Sequence, residues 1–526
     1  MAELFDPLDR LLSRGGDPRL SINRASGVNE YGCQPSPCPS TLSFASSTAT
    51  SISERAYERA GNARDSLMRS AIAIGIDAAF DARIEAMRDE LKAHLGLSRS
   101  EVDVVFSPSG TDAQLQALFL VQALRGPALT TVIVAADQTG SGTALTSRGH
   151  HFSAATANGS RVRKGEPIAG LAHSVATVAL RLFDGTGASR PQAETDSRVL
   201  GAIENSIANG TKVLLQIMDS SKLGWRAPSD TCLEEISARW PGQVQVVVDA
   251  CQMRLGRPRL RKYLDRGYMV LVTGSKFFTG PPFSGALLVP AGLSKALDAV
   301  TEVAPGLREY ISRSDWPMHW PALRSRFPIR SNFGQWLRWE AALEEIRAYH
   351  DLPDEFRLFA LTTFGKAVEQ VIAASPSLRL LPPQHRFDAR DLDDEELAQR
   401  TIFPFVIKRD DRLLSWDDCR KIYRALARDA QNCVPAGARD PDFEIAAKVC
   451  LVGQPVALGL REHNPVAALR ICASARLVTE TWSSDRDAAC ENLQRELAQV
   501  GAIVSKIEWL LAHMDGLDLT EVACEA

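Results

Sequence analysis

The chain predicts an α/β fold: a mostly parallel sheet of the seven-stranded type, sandwiched by helices, followed by a smaller α+β unit. Three observations predict it. Between residues 102 and 290 seven short apolar runs recur: VDVVFS, TVIVAA, ATVALRLF, KVLLQIM, VQVVVDA, YMVLVTG and GALLVP. They are continuous rather than alternating, the pattern of strands buried on both faces. Helical stretches such as TDAQLQALFLVQAL lie between them, and strands alternating with helices build a parallel sheet covered on both sides. Beyond residue 351 a polar, acidic stretch at 386–398 is followed by a second set of apolar runs, FPFVI, VCLVGQPVAL and ALRICASARLV.

Taken in order, residues 1–55 are rich in Ser, Pro, Gly and Thr, as in GCQPSPCPSTLSFASSTATS. They read as an irregular segment lying over the body of the protein. Within it, ASSTATSIS at 45–53 reads as a helix-capping linker or, alternatively, as a flap over a cavity mouth. From Ala60 to Leu95 the residues Ile84, Met87, Leu91 and Leu95 recur at three- and four-residue steps, which predicts a helical region. The stretch QWLRWEAALEEIRAYHD at 335–351 sets Trp336, Trp339, Leu343 and Ile346 on one stripe. The expected divisions are an irregular segment 1–55, a large α/β domain 56–345 and a small α+β domain 346–526.

The bulk numbers exclude several function classes. Lys and Arg total 60 against 64 Asp and Glu, a net charge of -4, so there is no basic footprint for nucleic acid or an anionic membrane. A small anionic ligand needs only local charge. No apolar run approaches the roughly 20 residues that span a bilayer, and MAELFDPLDRLLSRGGDP is acidic and amphipathic rather than basic and then apolar. A cytoplasmic location is expected. The 10 cysteines are scattered and read as reduced core residues. Cys33 and Cys38, and the pair His150 and His151, lack a matching pair at metal-binding spacing, so no metal is expected.

Ligands of a doubly wound sheet sit beyond the carboxyl ends of its strands. Four such ends carry related chemistry: SPSGTDAQ after VVF, DSSKLGWRAP after LLQIM, DACQ after VVV and TGSK after VLV. Asp249 closes an apolar strand, and a buried carboxylate asks for a cationic partner. Ser109, Gly110 and Thr111 open a helix, where unpaired N–H groups and the dipole favour an anion, although the same residues also suit an ordinary cap. Thr273 and Ser275 add hydroxyls just before Lys276. Together these residues suggest pyridoxal 5'-phosphate (PLP), with Lys276 as its Schiff-base lysine, Asp249 against the pyridine nitrogen and Gln252 donating to the phenolic oxygen.

The set SGTDA (109–113), DSSKLG (219–224), DACQ (249–252), TGSK (273–276) and SNFG (331–334) resembles fold type I PLP enzymes, in particular the class V aminotransferase and cysteine desulfurase branch. The resemblance implies that Gly110 and Thr111 start the phosphate-binding helix and that Thr273 and Ser275 are phosphate ligands. It implies that Asp249, Gln252 and Lys276 hold the ring, with Ser221 near it. Arg330 would reach the partner subunit's phosphate in a homodimer with shared active sites, and Arg470, with Arg476 as the alternative, would grip the substrate carboxylate. Two departures stand out. Ser275 replaces the histidine that precedes the family's lysine, and ADQTGSGT (136–143) replaces its ring-stacking histidine, leaving Gln138 or Thr139 to cover the ring. Cys450 lies inside an apolar run and reads as a packed thiol rather than a nucleophile. The function implied is an aminotransferase acting on an amino acid or other small amino compound. A PLP-dependent lyase, substitution at Cβ or Cγ, carbon–carbon bond formation and a non-catalytic scaffold are the alternatives.

Overall fold

Continuous runs of Val, Leu and Ile cannot satisfy a sheet with one wet face, and the computed structural model shows what they build instead. It describes residues 2–98, 100–171, 174–383, 396–434, 440–461 and 464–514. Strand β1 (Leu42–Phe44) belongs to a second sheet described below. The large sheet is made of β2 (Val102–Ser107), β3 (Leu129–Val134), β4 (Val175–Leu180), β5 (Lys212–Met218), β6 (Val244–Asp249), β7 (Met269–Thr273) and β8 (Gly285–Pro290). Their spatial order is β2-β8-β7-β6-β5-β3-β4, with β8 antiparallel to both neighbours and the other pairings parallel. This is the mostly parallel seven-stranded sheet that the sequence predicts. Successive side chains split between two apolar cores: Val246 and Val248 join one, Val247 the other.

The second sheet contains β9 (Leu378–Leu380), β10 (Ile402–Arg409), β11 (Arg412–Leu413), β12 (Cys450–Arg461) and β13 (Asn464–Cys472), in the order β1-β12-β13-β10-β11 with β9 also paired to β10. Strand β1 pairs parallel to β12, Leu42 opposite Cys450. A three-residue strand inside a Ser/Thr-rich stretch has no period to read, which is why the sequence shows only an irregular segment there. Most of the acidic stretch at 386–398 lies outside the described residues. Among the described residues no helix is long and apolar enough to cross a membrane.

Two helices differ from their sequence reading. The helical region at 60–95 is two helices, Glu54–Ile74 and Ile76–His94, broken at Gly75, whose φ of 82° a residue with a Cβ rarely adopts. The helix Phe333–His350 is not a one-stripe surface helix. Its Arg338, Glu340 and Glu345 are as buried as its tryptophans, because the helix Glu54–Ile74 and the N-terminal segment cover its polar side. Glu345 accepts from Ser53 Oγ (2.5 Å), Arg55 Nε (3.0 Å) and Arg476 (3.3 Å). Arg338 donates to the carbonyls of Phe283 (2.8 Å), Leu12 (3.1 Å), Gly15 (2.8 Å) and Arg14.

The N-terminal segment is thereby held against the helix at backbone distance. A Cβ at Gly334 would lie 2.1 Å from Arg14 O and 2.7 Å from Leu11 O, and neither carbonyl is the yielding end of a side chain. Gly334→Ala is expected to lift residues 11–19 and to speed native-state tryptic cleavage at Arg14 at least tenfold, about 1.4 kcal/mol of local opening. Gly201→Ala, where the added methyl meets nothing within 4 Å, should leave the rate unchanged.

Candidate active site

Parallel strands end with their side chains and following loops on one edge of the sheet, so β3, β5, β6 and β7 all deliver residues to the same crevice. There a cavity of about 150 Å³, open to solvent on one side, is lined by Gly110, Thr111, Thr139, Asp249, Gln252, Thr273, Ser275 and Lys276. The strand-end reading thus meets a real site. Asp249 is the last residue of β6, registered between Met218 of β5 and Leu271 of β7. Its Oδ1 accepts from Cys251 N–H (3.1 Å). Burial pushes its pKa up, opposed by that N–H and by the charges of Lys276 and Lys222. No ion pair within 4 Å is made by Asp249 among the described residues.

Lys276 follows β7 and donates through Nζ to Thr48 O. Burial, helped by the nearby Arg470 charge, lowers its pKa to about 8. The helix Gly110–Arg125 points its N-terminus into the same space. Ser109 caps it by accepting from Asp112 N–H (3.2 Å), and the leading N–H groups have no intrahelical acceptor. Gly110 is required by contact: a Cβ there would meet Cys251 Sγ at 2.7 Å. Thr273 Oγ1 donates to Cys251 O (2.7 Å), which leaves its lone pairs facing outward as acceptor sites.

Two amides at the wall lack partners. Gln138, only 1% exposed, has neither Oε1 nor Nε2 hydrogen-bonded, and Gln252 has an unpartnered Oε1 while its Nε2 donates to Ser47 O (3.1 Å). Buried polar groups of this kind cost stability unless something meets them. The segment 45–53 acts in both of the ways its sequence allows. Ser47, Thr48 and Ala49 line the cavity, and Ser53 caps the helix Glu54–Ile74 by accepting from Ala56 N–H.

Three sequence-predicted site residues stand elsewhere. Ser221 is fully buried, and its hydroxyl accepts from Leu223 N–H and Trp225 N–H (3.1 Å each), folding its own loop instead of facing the cavity. Its neighbours Ser220 and Lys222 face the cavity in its place. Arg330 is turned to Arg308 O (3.3 Å), away from this cavity. Arg470, on β13, sits behind the wall and donates to Lys222 O (3.3 Å), Thr48 Oγ1 (3.1 Å) and Gln454 O (2.8 Å), with Nε unpartnered. Arg476 lies on the helix Ala475–Thr481 and is engaged with Thr279 O and Glu345. Cys450 is buried in β12, its thiol pushed up to about 11 by burial. His150 and His151 bond Gly165 O and Tyr310, and no group of metal-ligating side chains occurs among the described residues.

Sequence reasoning missed Arg19, Tyr31, Lys222 and Phe283 at the wall. Arg19 is tied to Asp17 (2.6 Å) and lies over the Phe283 ring (5.2 Å). Nothing in GGDPRL or VNEYGC announces a site, because those residues reach it only through the docking of the N-terminal segment. Lys222 did carry a signal, its place in the strand-end loop DSSKLG.

No protein-family model matches the sequence, and no curated protein matches it significantly. Among solved structures, this chain is similar to the cystine C-S lyase C-DES in complex with its reaction product cysteine persulfide, at 13% identity and a TM-score of 0.47, over 87% of this chain and 98% of that one. It is similar to Catharanthus roseus tryptophan decarboxylase in complex with L-tryptophan at 12% identity and a TM-score of 0.47, over 86% and 81%. It is similar to a NifS-like protein at 13% identity and a TM-score of 0.45, over 87% and 98%.

The Lys276 shift carries a stability consequence. Its folded pKa of about 8 lies below the ordinary 10.5, so between those values the unfolded chain binds more protons and stability rises with pH. The cost is full below about 8 and disappears as pH climbs toward 10.5. Urea denaturation of the ligand-free protein at pH 7, 8, 9 and 10 should show wild type gaining on Lys276→Met only above pH 8.

Proposed function

We propose that the protein is a PLP-dependent enzyme that acts on a small amino compound and transfers its amino group. One observation carries the reading: a carboxylate without an ion pair and a lysine with a depressed pKa face a single cavity beside the open N-terminus of a sixteen-residue helix. The residues fit the cofactor group by group. Asp249 would hold the protonated pyridine nitrogen, which supplies the cation its burial calls for. Thr111, Ser275 and the first turn of the helix Gly110–Arg125 would receive the phosphate. The remaining N–H of Gln252 is free for the phenolic oxygen, and Gln138 supplies a flat amide where the family has an aromatic ring. PLP, when bound, supplies an electron-withdrawing ring that makes the substrate's Cα proton acidic.

The chain's own residues do the rest. Lys276, at about 8, is able both to take and to return a proton near neutral pH, the condition for moving one at Cα. Thr48 O orients its amine. Ser47, Thr48, Ala49, Arg19 and Tyr31 line the cavity and narrow the access of water to it. Cys450, buried in a strand, takes no part. Amino transfer needs only the proton shuttle that Lys276 provides, which is why it is the outcome proposed. Arg330 is half-buried near the surface, and with it a homodimer sharing its active sites is proposed.

The purified protein loaded with PLP should show a visible absorption band that borohydride abolishes and that Lys276→Ala lacks. A band unchanged in that variant would falsify the lysine's role. Asp249→Ala should lower turnover at least about 100-fold, roughly 2.7 kcal/mol on the barrier. A single turnover with amino acids should leave the pyridoxamine form, whereas release of ammonia or carbon dioxide without it would count against amino transfer. Sedimentation of the loaded protein should give a dimer.

A further inference from the structure

The wall cations differ in what they already hold. Arg19 is paired with Asp17 through two nitrogens, 2.9 and 2.6 Å. Lys276 donates to Thr48 O. Arg470 stands behind the wall, its guanidinium donating to Lys222 O, Thr48 Oγ1 and Gln454 O. Lys222 alone among these lines the cavity with no hydrogen bond or ion pair for its ammonium among the described residues. Lys222 is half-buried, and an ammonium taken partly out of water without a partner is costly.

We propose that Lys222 is the residue that receives the substrate's carboxylate, in place of Arg470, so that the site selects amino acids over simple amines. The inference rests on the PLP reading above and names the substrate class for that site. Three features of the fold support it. Lys222 sits in the loop after β5, the strand between β6, which ends in Asp249, and β3, which leads to Gln138. A group bound over Asp249 and Lys276 is therefore next to it. Ser221 Oγ and Ser221 O accept from Leu223, Trp225 and Gly224 N–H groups, so the loop's backbone holds the base of the Lys222 side chain at the wall. Gln138, at the adjoining strand end, presents a second unpartnered polar group to the same space. Arg470 then acts as a positioning residue: it holds the Lys222 carbonyl and adds positive potential behind the wall. That potential and burial bring Lys222 down to about 8, and a bound carboxylate reverses the trend by favouring the charged form.

The test uses two reagents that condense with PLP in the same way and differ in one group. Aminooxyacetate bears a carboxylate and methoxyamine does not. Loss of the visible band of the loaded protein is followed for each, at equilibrium and in time, in wild type, Lys222→Met and Lys222→Arg. Wild type is expected to prefer aminooxyacetate at least tenfold in affinity. Lys222→Met should lose at least tenfold toward aminooxyacetate and nothing toward methoxyamine, and Lys222→Arg should keep the preference. A preference that survives in Lys222→Met overturns the proposal, and so does an equal loss toward both reagents, which would mean that Lys222 serves the cofactor or the fold. Absence of any visible band in the wild type would instead refute the PLP reading itself. Folding of each variant is checked by its band and by its urea midpoint.

Discussion

The structure turns on a carboxylate placed where water cannot reach it freely and where no protein cation closes on it. Asp249 ends a strand buried on both faces, and its Oδ1 accepts from the Cys251 N–H. Replacing the solvent around an ionised carboxylate is expensive, and burial raises its pKa accordingly. Lys276 and Lys222 offset part of this from across the cavity without contacting it. A site in which charges of opposite sign face each other across a gap is unfinished as a piece of protein. On the reading proposed above, the pyridine nitrogen of PLP would supply the cation that Asp249 lacks.

The N-terminal segment supplies part of the wall of that gap. The sheet by itself leaves its carboxyl edge exposed. Arg338 gathers carbonyls of residues 12, 14 and 15 together with that of Phe283, so one buried guanidinium joins the segment to the loop beyond Lys276. Arg254, close behind Gln252, donates to Ser46 Oγ (2.8 Å), Thr401 O (3.4 Å) and Ala473 O (3.3 Å), tying the same segment to the second sheet. Both arginines bind neutral oxygens rather than carboxylates. Their charge therefore stays in the protein's field, where burial lowers the pKa of each, Arg338 to about 9 and Arg254 to about 10. The same connections that position the segment thus add positive potential around the cavity.

How much of this was legible in the sequence depends on the range of the interaction. The large sheet could be read because continuous apolar runs carry their own signature, and its strand ends carried Asp249 and Lys276 with them. Gly110, Thr111, Thr273 and Ser275 followed from the same logic. Ser221 and Lys222 show its limit. Within a tight loop, adjacent residues point opposite ways, and the resemblance places Ser221 near the ring, whereas here the loop's own N–H groups use that hydroxyl. Arg470 was placed correctly on a strand, but depth behind a wall is set by packing against Thr48 and Gln454, which are hundreds and tens of residues away in the chain and carry no local pattern. Arg19 and Tyr31 reach the cavity through contacts made by Gly15 and Gly334, whose need for close approach is invisible until the two segments are laid together.

The two depressed lysines follow from one cause. Each is desolvated, and each feels Arg470, which makes no ion pair among the described residues. At about 8, Lys276 can lose a proton near physiological pH because burial, and after it the Arg470 charge, disfavours its ammonium. From behind the wall Arg470 adds to a lowering of both amines that burial dominates, and on the proposal above the nearer lysine, Lys222, is left to meet an anion. On that proposal an anion bound at Lys222 would offset part of the positive field at Lys276 and raise its affinity for a proton as one is taken from Cα. Binding and proton transfer would in this way be coupled by electrostatics between two lysines on one cavity wall.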